Sequence, residues 1–171
     1  MINKRRAFIV GIKGTKLINR EILFLKKYKP WGIILFTRNI KTISQTQKLT
    51  NHIKKIFHDK YYPIIIDEEG GKITRLKKFI DNSIFTADYF GKLFIKNKKK
   101  FNIYYDVYIK QIAYLLNILG ININSVPVLD VRRKITSKII GERSYSLNAK
   151  IVSKLGEFCI SRFHRQGIAT I

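Results

Sequence analysis

The chain has 171 residues, the length of one ordinary domain, and its apolar content of 46% is ample for a core. That content excludes intrinsic disorder despite a formal net charge of +23, and no apolar run approaches the ~18 residues of a membrane span. The apolar stretch Ala7–Ile12 is too short for a signal peptide, and the single Cys159 permits no internal disulfide, so the expectation is a cytoplasmic chain in a reducing compartment.

In chain order, Ala7–Ile12 reads as a short buried strand closed by Gly14, and Ile18–Tyr28 as a helix stopped by Pro30. Trp31–Phe36 is an unbroken apolar run, the mark of a strand covered on both faces. A helix capped by Thr42 or Ser44 then runs to about His58, followed by a second covered strand at Pro63–Ile66 that ends in Asp67-Glu68-Glu69-Gly70-Gly71. Lys72–Lys100 holds a loop and one helix around Ala87–Ile95. Tyr105–Leu119 is a helix terminated by Gly120, Ile123–Leu129 a strand, and Asp130–Ser146 a loop. Helix Asn148–Arg165 follows, and Gly167–Ile171 opens a further strand. Strict strand–helix alternation predicts an α/β fold with a parallel sheet wound by right-handed crossovers. A chain that stops on the start of a core strand reads as the front part of something larger.

The positive charge raises nucleic acid as a partner, but the lysines are scattered, and no zinc-finger, ribonucleoprotein or tandem-helix motif is present. Ile (31 residues), Lys (24) and Asn (11) are abundant together, which AT-rich codon usage produces without any partner. No specific nucleic-acid or membrane partner is expected; a basic nucleic-acid-associated protein is the distant alternative, and steep salt dependence of binding would reveal it.

Three predicted strands end in polar clusters: Thr37-Arg38-Asn39, Asp67-Glu68-Glu69 and Asp130. Ligands of α/β folds bind beyond the carboxyl ends of strands, which places a site there. Three acids in a row suit a metal or a carboxylate pair for glycoside hydrolysis, or simply a charged loop among lysines. The paired glycines let the backbone approach a ligand closely.

Four motifs occur in order: Trp31-Gly32-Ile33-Ile34-Leu35-Phe36-Thr37-Arg38-Asn39, Ile65-Ile66-Asp67-Glu68-Glu69-Gly70-Gly71, Val126-Pro127-Val128-Leu129-Asp130-Val131 and Ile140-Gly141-Glu142-Arg143-Ser144-Tyr145. They resemble the G-V-I-L-F-x-R-N, V-D-Q-E-G-G-R-V-x-R, A-P-V-L-D-V and I-G-D-R-S-F patterns of the N-terminal half of family 3 glycoside hydrolases. Within that family they look most like the bacterial β-N-acetylglucosaminidases (β-hexosaminidases) of peptidoglycan recycling. The resemblance covers nearly the whole chain, 1–171, and implies the first part of a (β/α)8 TIM barrel. It implies hydrolysis of terminal non-reducing β-linked N-acetylglucosamine from muropeptides, with retention of configuration and no cofactor or metal. Carried over position by position, Asp67, Arg75 and Arg143 are expected to bind the sugar; no ligand role carries over to Asp130, whose hypothesised task is to orient Arg143 from behind.

Lys72 stands where the family has Arg, and Glu142 where it has Asp; 81–101 departs from the family sequence. The family's Lys-His-Phe-Pro-Gly-His motif, its acid/base His and its nucleophile Asp have no counterpart, so no catalytic residue is assigned in this chain. His52, His58 and His164 are expected to be ordinary solvated or packed histidines. The chain alone is expected to be inactive, either a truncated product or one half of a split enzyme whose complementary C-terminal half-barrel is a second chain. A non-catalytic carbohydrate-binding remnant is the alternative.

Overall fold

A computed structural model describes residues 5–133 and 139–171. Five parallel strands form one sheet in sequence order: β1 (Arg6–Gly11), β2 (Pro30–Leu35), β3 (Ile64–Ile66), β4 (Ile123–Asn124) and β5 (Ala169–Thr170). Helices α1 (Asn19–Tyr28), α2 (Ile43–Ile56), α3 (Ala87–Lys96), α4 (Lys98–Leu119) and α5 (Ala149–Arg165) supply the crossovers. The expected parallel α/β architecture is therefore present.

Local chemistry sets most boundaries. Thr42 caps α2 by accepting a hydrogen bond from the Gln45 amide, and Thr86 caps α3 through the amide of Tyr89. Lys29 ends α1 in the left-handed conformation (φ 48°), and Pro30 then opens β2 directly. Asn97 both ends α3 and caps α4, accepting from the Lys100 amide. Helix α4 consequently begins at Lys98, seven residues before the expected Tyr105, while Gly120 (φ 73°) ends it as anticipated. The strand expected over Ile123–Leu129 pairs only at Ile123 and Asn124; Pro127, which follows a cis peptide bond, has no N–H to offer a ladder.

The core lies between the sheet and its helices. Ile33, Leu35, Ile64 and Ile66 pack under Ile53 of α2 and Ile109, Ile112 and Leu116 of α4, all essentially inaccessible. Ile65 and its register partner Ile123 are also buried but stand outside that cluster, as strand alternation requires. The segment that departs from the family sequence contributes an aromatic cluster, in which Phe90 of α3 lies 4.1 Å from the ring of Tyr105. Tyr105 and Tyr145 join hydroxyls at 2.5 Å. Gly91 lets α3 sit directly on the backbone of Tyr145. Buried Cys159 has its thiol pushed up to about 11 by desolvation.

Two asparagines of the fourth crossing hold β3 at both ends. Asn122 accepts from the Ile64 amide and donates to the carbonyls of Tyr61 and Tyr62. Asn124 accepts from the Glu68 amide and donates to its carbonyl, both at 3.0 Å. These side chains continue the ladder that the short β4 cannot complete with its own backbone, and they carry the order of β3 into the segment beyond it.

Candidate functional site

The site forms where β3 ends. A tight turn follows: the Glu69 amide donates to the Ile73 carbonyl at 2.9 Å, and the Ile73 amide donates to the Gly70 carbonyl at 3.2 Å. Gly70 has φ +85°, and a Cβ there would stand 2.2 Å from the Phe85 carbonyl oxygen, so no other residue fits. The turn returns the chain past the strand end and delivers Thr74-Arg75-Leu76 alongside Asp67-Glu68-Glu69.

Each of the three consecutive acids has a different fate. Asp67 is partly exposed and meets Arg75, with Nη2 to Oδ2 at 3.4 Å. The Arg75 guanidinium also lies 5.8 Å from the centroid of Phe36, whose ring is faced by Arg38 at 4.5 Å. Arg75 Nε is buried with no acceptor among the described residues. Arg38 and Asn39 are fastened to the end of β1, both donating to the Ile12 carbonyl.

Glu68 is 1% exposed. Its Oε1 accepts from Thr74 Oγ1 (2.6 Å) and Asn82 Nδ2 (3.3 Å), and its Oε2 from the amides of Arg75 (2.6 Å) and Leu76 (3.0 Å). Burial pushes its carboxyl pKa up, against the pull of those four hydrogen bonds. This residue, which the sequence left open between a functional carboxylate and part of a charged loop, is the most deeply buried of the three acids.

Glu69 accepts two hydrogen bonds from Arg143, from Nε and Nη2, both at 2.8 Å. That bond raises the Arg143 pKa beyond its ordinary value, burial works against it, and the charges of Asp130 and Asp67 add to the rise. Arg143 comes from a single 3-10 turn, Gly141–Arg143, beside which Lys72 and Glu142 approach to 3.9 Å. Arg143 thus donates its orienting hydrogen bonds to Glu69, whereas the expectation gave that task to Asp130. Asp130 bears on Arg143 through its charge, and its backbone carbonyl accepts from Ser144 Oγ at 2.6 Å.

Asp67, Arg75 and Arg143 are therefore gathered at one end of the sheet, with Phe36 and Arg38 beside them and Glu68 and Glu69 as their fastenings. The histidines stand elsewhere: His52 and His58 are exposed on and just after α2, and His164, near the end of α5, meets Thr170 Oγ1 at 3.2 Å. Among the described residues no three His, Cys, Asp or Glu side chains gather to hold a metal ion, and no helix is long and apolar enough to cross a membrane.

The parallel α/β sheet thus gathers an acid and two arginines at its strand ends, where α/β folds bind their ligands. Residues 12–171 match the glycosyl hydrolase family 3 N terminal domain, and the chain belongs to that family. It is 31% identical over 167 residues to a beta-hexosaminidase of Hydrogenovibrio crunogenus, covering 95% of this chain and 45% of that protein. It is 30% identical over 153 residues to beta-hexosaminidase A of Pseudoalteromonas piscicida, covering 84% of this chain and 24% of that one. Its fold superposes on NagZ of Neisseria gonorrhoeae, solved in complex with N-trifluoroacetyl-D-glucosamine, with a TM-score of 0.86 at 25% identity, covering 97% of this chain and 49% of the other. The chain spans less than half the length of these relatives, and its sheet corresponds to the N-terminal part of the NagZ barrel.

Proposed function

We propose that the chain forms the non-reducing-end sugar subsite of a retaining β-N-acetylhexosaminidase acting on terminal β-linked N-acetylglucosamine of muropeptides in the cytoplasm, as in peptidoglycan recycling. In this reading Asp67 accepts hydrogen bonds from adjacent sugar hydroxyls, and Arg75 and Arg143 donate charge-assisted bonds to the ring substituents. Asp130 supplements the field around Arg143. The observation that carries the proposal is the partly exposed Asp67 carboxylate at the end of a buried parallel strand, flanked by an arginine at 3.4 Å.

A retaining glycosidase needs a nucleophile and an acid/base on opposite sides of one glycosidic bond. All three acids at the end of β3 are already engaged: Asp67 with Arg75, Glu68 with four donors, Glu69 with Arg143. None is a free proton donor. The reacting groups are therefore assigned to a complementary C-terminal half-barrel, and the 171-residue chain by itself is assigned binding without hydrolysis.

The test is a titration of the chain with N-acetylglucosamine, followed by NMR, beside hydrolysis of a chromogenic N-acetyl-β-glucosaminide. The reading expects saturable binding that Asp67→Ala abolishes, no turnover by the chain alone, and turnover once a C-terminal half from a relative is supplied. Binding unaffected by Asp67→Ala would overturn the subsite assignment, and turnover by the chain alone would overturn the division of labour.

A further inference from the structure

Arg75 is held at two points by two adjacent acids. Its guanidinium meets Asp67, while its main-chain amide donates to Glu68 at 2.6 Å. Glu68 is itself anchored by Asn124 of β4, which bonds both its amide and its carbonyl. Rigid sheet, buried carboxylate and arginine-bearing loop thus form one hydrogen-bonded chain. We propose that Glu68 is a positioning residue, whose buried carboxylate fixes the 74–76 segment so that Arg75 stands against Asp67; its bearing on sugar rests on the reading given above.

Three observations support this. An ionised carboxylate is an acceptor with about four lone-pair sites, and Glu68 meets four donors, two on each oxygen. All four come from residues 74–82, the very loop that carries Arg75, and no Lys or Arg side chain among them competes for the carboxylate. Finally, Arg75 keeps its Nε–H buried without an acceptor among the described residues. An unpaired buried donor is costly, and a freely mobile loop would turn the arginine to pair it. The hold on the main chain keeps the guanidinium beside Asp67 instead.

The experiment is amide hydrogen exchange on the 171-residue chain, comparing Glu68→Gln and Glu68→Met. Gln keeps one oxygen for the amides of Arg75 and Leu76 and turns its NH2 toward Thr74 Oγ1 and Asn82, whose Oδ1 has no partner among the described residues. Met keeps the length and the bulk but offers no comparable acceptor. Exchange at Arg75 and Leu76 is expected to stay within about threefold in Glu68→Gln and to accelerate about tenfold or more in Glu68→Met, with the amides of Ile64–Ile66 unchanged in both. Unchanged protection of Arg75 in Glu68→Met, or equal loosening of β3, would overturn the proposal, because a plain packing role moves the whole core. If Glu68→Met does not fold, the Gln variant decides: exchange at Arg75 and Leu76 within about threefold of wild type, with Ile64–Ile66 unchanged, supports the role, and a larger rise, or one shared by Ile64–Ile66, overturns it. N-acetylglucosamine titration of the same samples separates the two readings. Wild-type protein that binds no sugar sinks the subsite assignment, while the exchange pattern still decides the positioning role.

Discussion

Arg143 grips Glu69 through two parallel hydrogen bonds of equal length, 2.8 Å each, joining the turn after β3 to a 3-10 turn 74 residues later. The fork of a guanidinium matches a carboxylate edge in a way that an ammonium cannot. The pair therefore does more than cancel charge; it fixes the distance between the two loops.

Breaking that fork separates geometry from charge. Arg143→Lys keeps the positive charge and loses the second bond, and a double-mutant cycle with Glu69→Gln should give a coupling energy of about 1 kcal/mol, modest because both side chains retain some contact with water. Sugar affinity, read by titration, should fall in Arg143→Lys as well. Additive single effects would mean that the two loops do not depend on the pair.

Glu68 gives the chain a signature in pH. Burial raises its folded-state pKa, so the native protein binds the proton more tightly than the unfolded chain does. The stability it contributes is complete below the ordinary carboxylate range and is lost as pH rises through the raised value. Asp88 runs the other way. Burial alone would raise it, but the hydrogen bonds from Lys92 and Arg132 hold it low, so its contribution is lost on acidification. Denaturant melts of Glu68→Gln across pH 4–8, about the span where shifted carboxyls titrate, should lack the downward slope on the alkaline side and show higher stability than wild type at pH 7. Parallel curves for the two proteins would refute the assignment.

Two glycines predict opposite tolerances. A Cβ on Gly91 would sit 1.8 Å from the Tyr145 carbonyl oxygen, a backbone atom, so Gly91→Ala must push α3 away and should cost about 3 kcal/mol or more. A Cβ on Gly156 would meet the end of the Leu129 side chain at 2.5 Å, and Leu129 is 53% exposed and free to turn. Gly156→Ala lies inside α5 and should be close to neutral or stabilising, by up to about 1 kcal/mol. Thermal melts of the two variants would settle the contrast.

Asp67→Asn should split binding from folding. The Arg75 contact is long at 3.4 Å and partly exposed, so stability should change by less than about 1 kcal/mol. Affinity for N-acetylglucosamine should drop about tenfold or more, since a hydrogen bond to a charged acceptor is lost. An equally large loss of stability would show that Asp67 is structural.

Much of this was legible in the sequence. The apolar runs at Trp31–Phe36 and Pro63–Ile66 announced covered parallel strands, and Thr42 and Gly120 announced helix ends. The start of α4 was obscured because Lys98–Lys100 are solvated and break the apolar period, although Asn97 was a cap in plain view. The run Val126–Leu129 suggests a longer β4 because apolar sequence also describes unpaired chain that climbs out of the core, here from buried Val126 to exposed Leu129. The depth of Glu68 was hidden inside a run of acids. Its signal was parity: Ile64 and Ile66 point to the helices, so the next residue on that side is position 68, while Asp67 follows Ile65 to the other face. The Glu69–Arg143 fork had no local signal, because its partners lie in different motifs and only the closed loops bring them together.

The strand order of the sheet repeats the order of the chain, each strand lying beside the one before it. Nothing has to be threaded between elements already in place, and every crossover helix can settle onto a surface that exists when it emerges. Such a chain can assemble vectorially as the ribosome releases it, one strand–helix unit templating the next. The exceptions are the clasps thrown backward, Asn122 and Asn124 onto β3 and Arg143 onto Glu69. These reach β3 only once later segments have emerged, so the cluster of acids and arginines at its end is completed well after the strand itself.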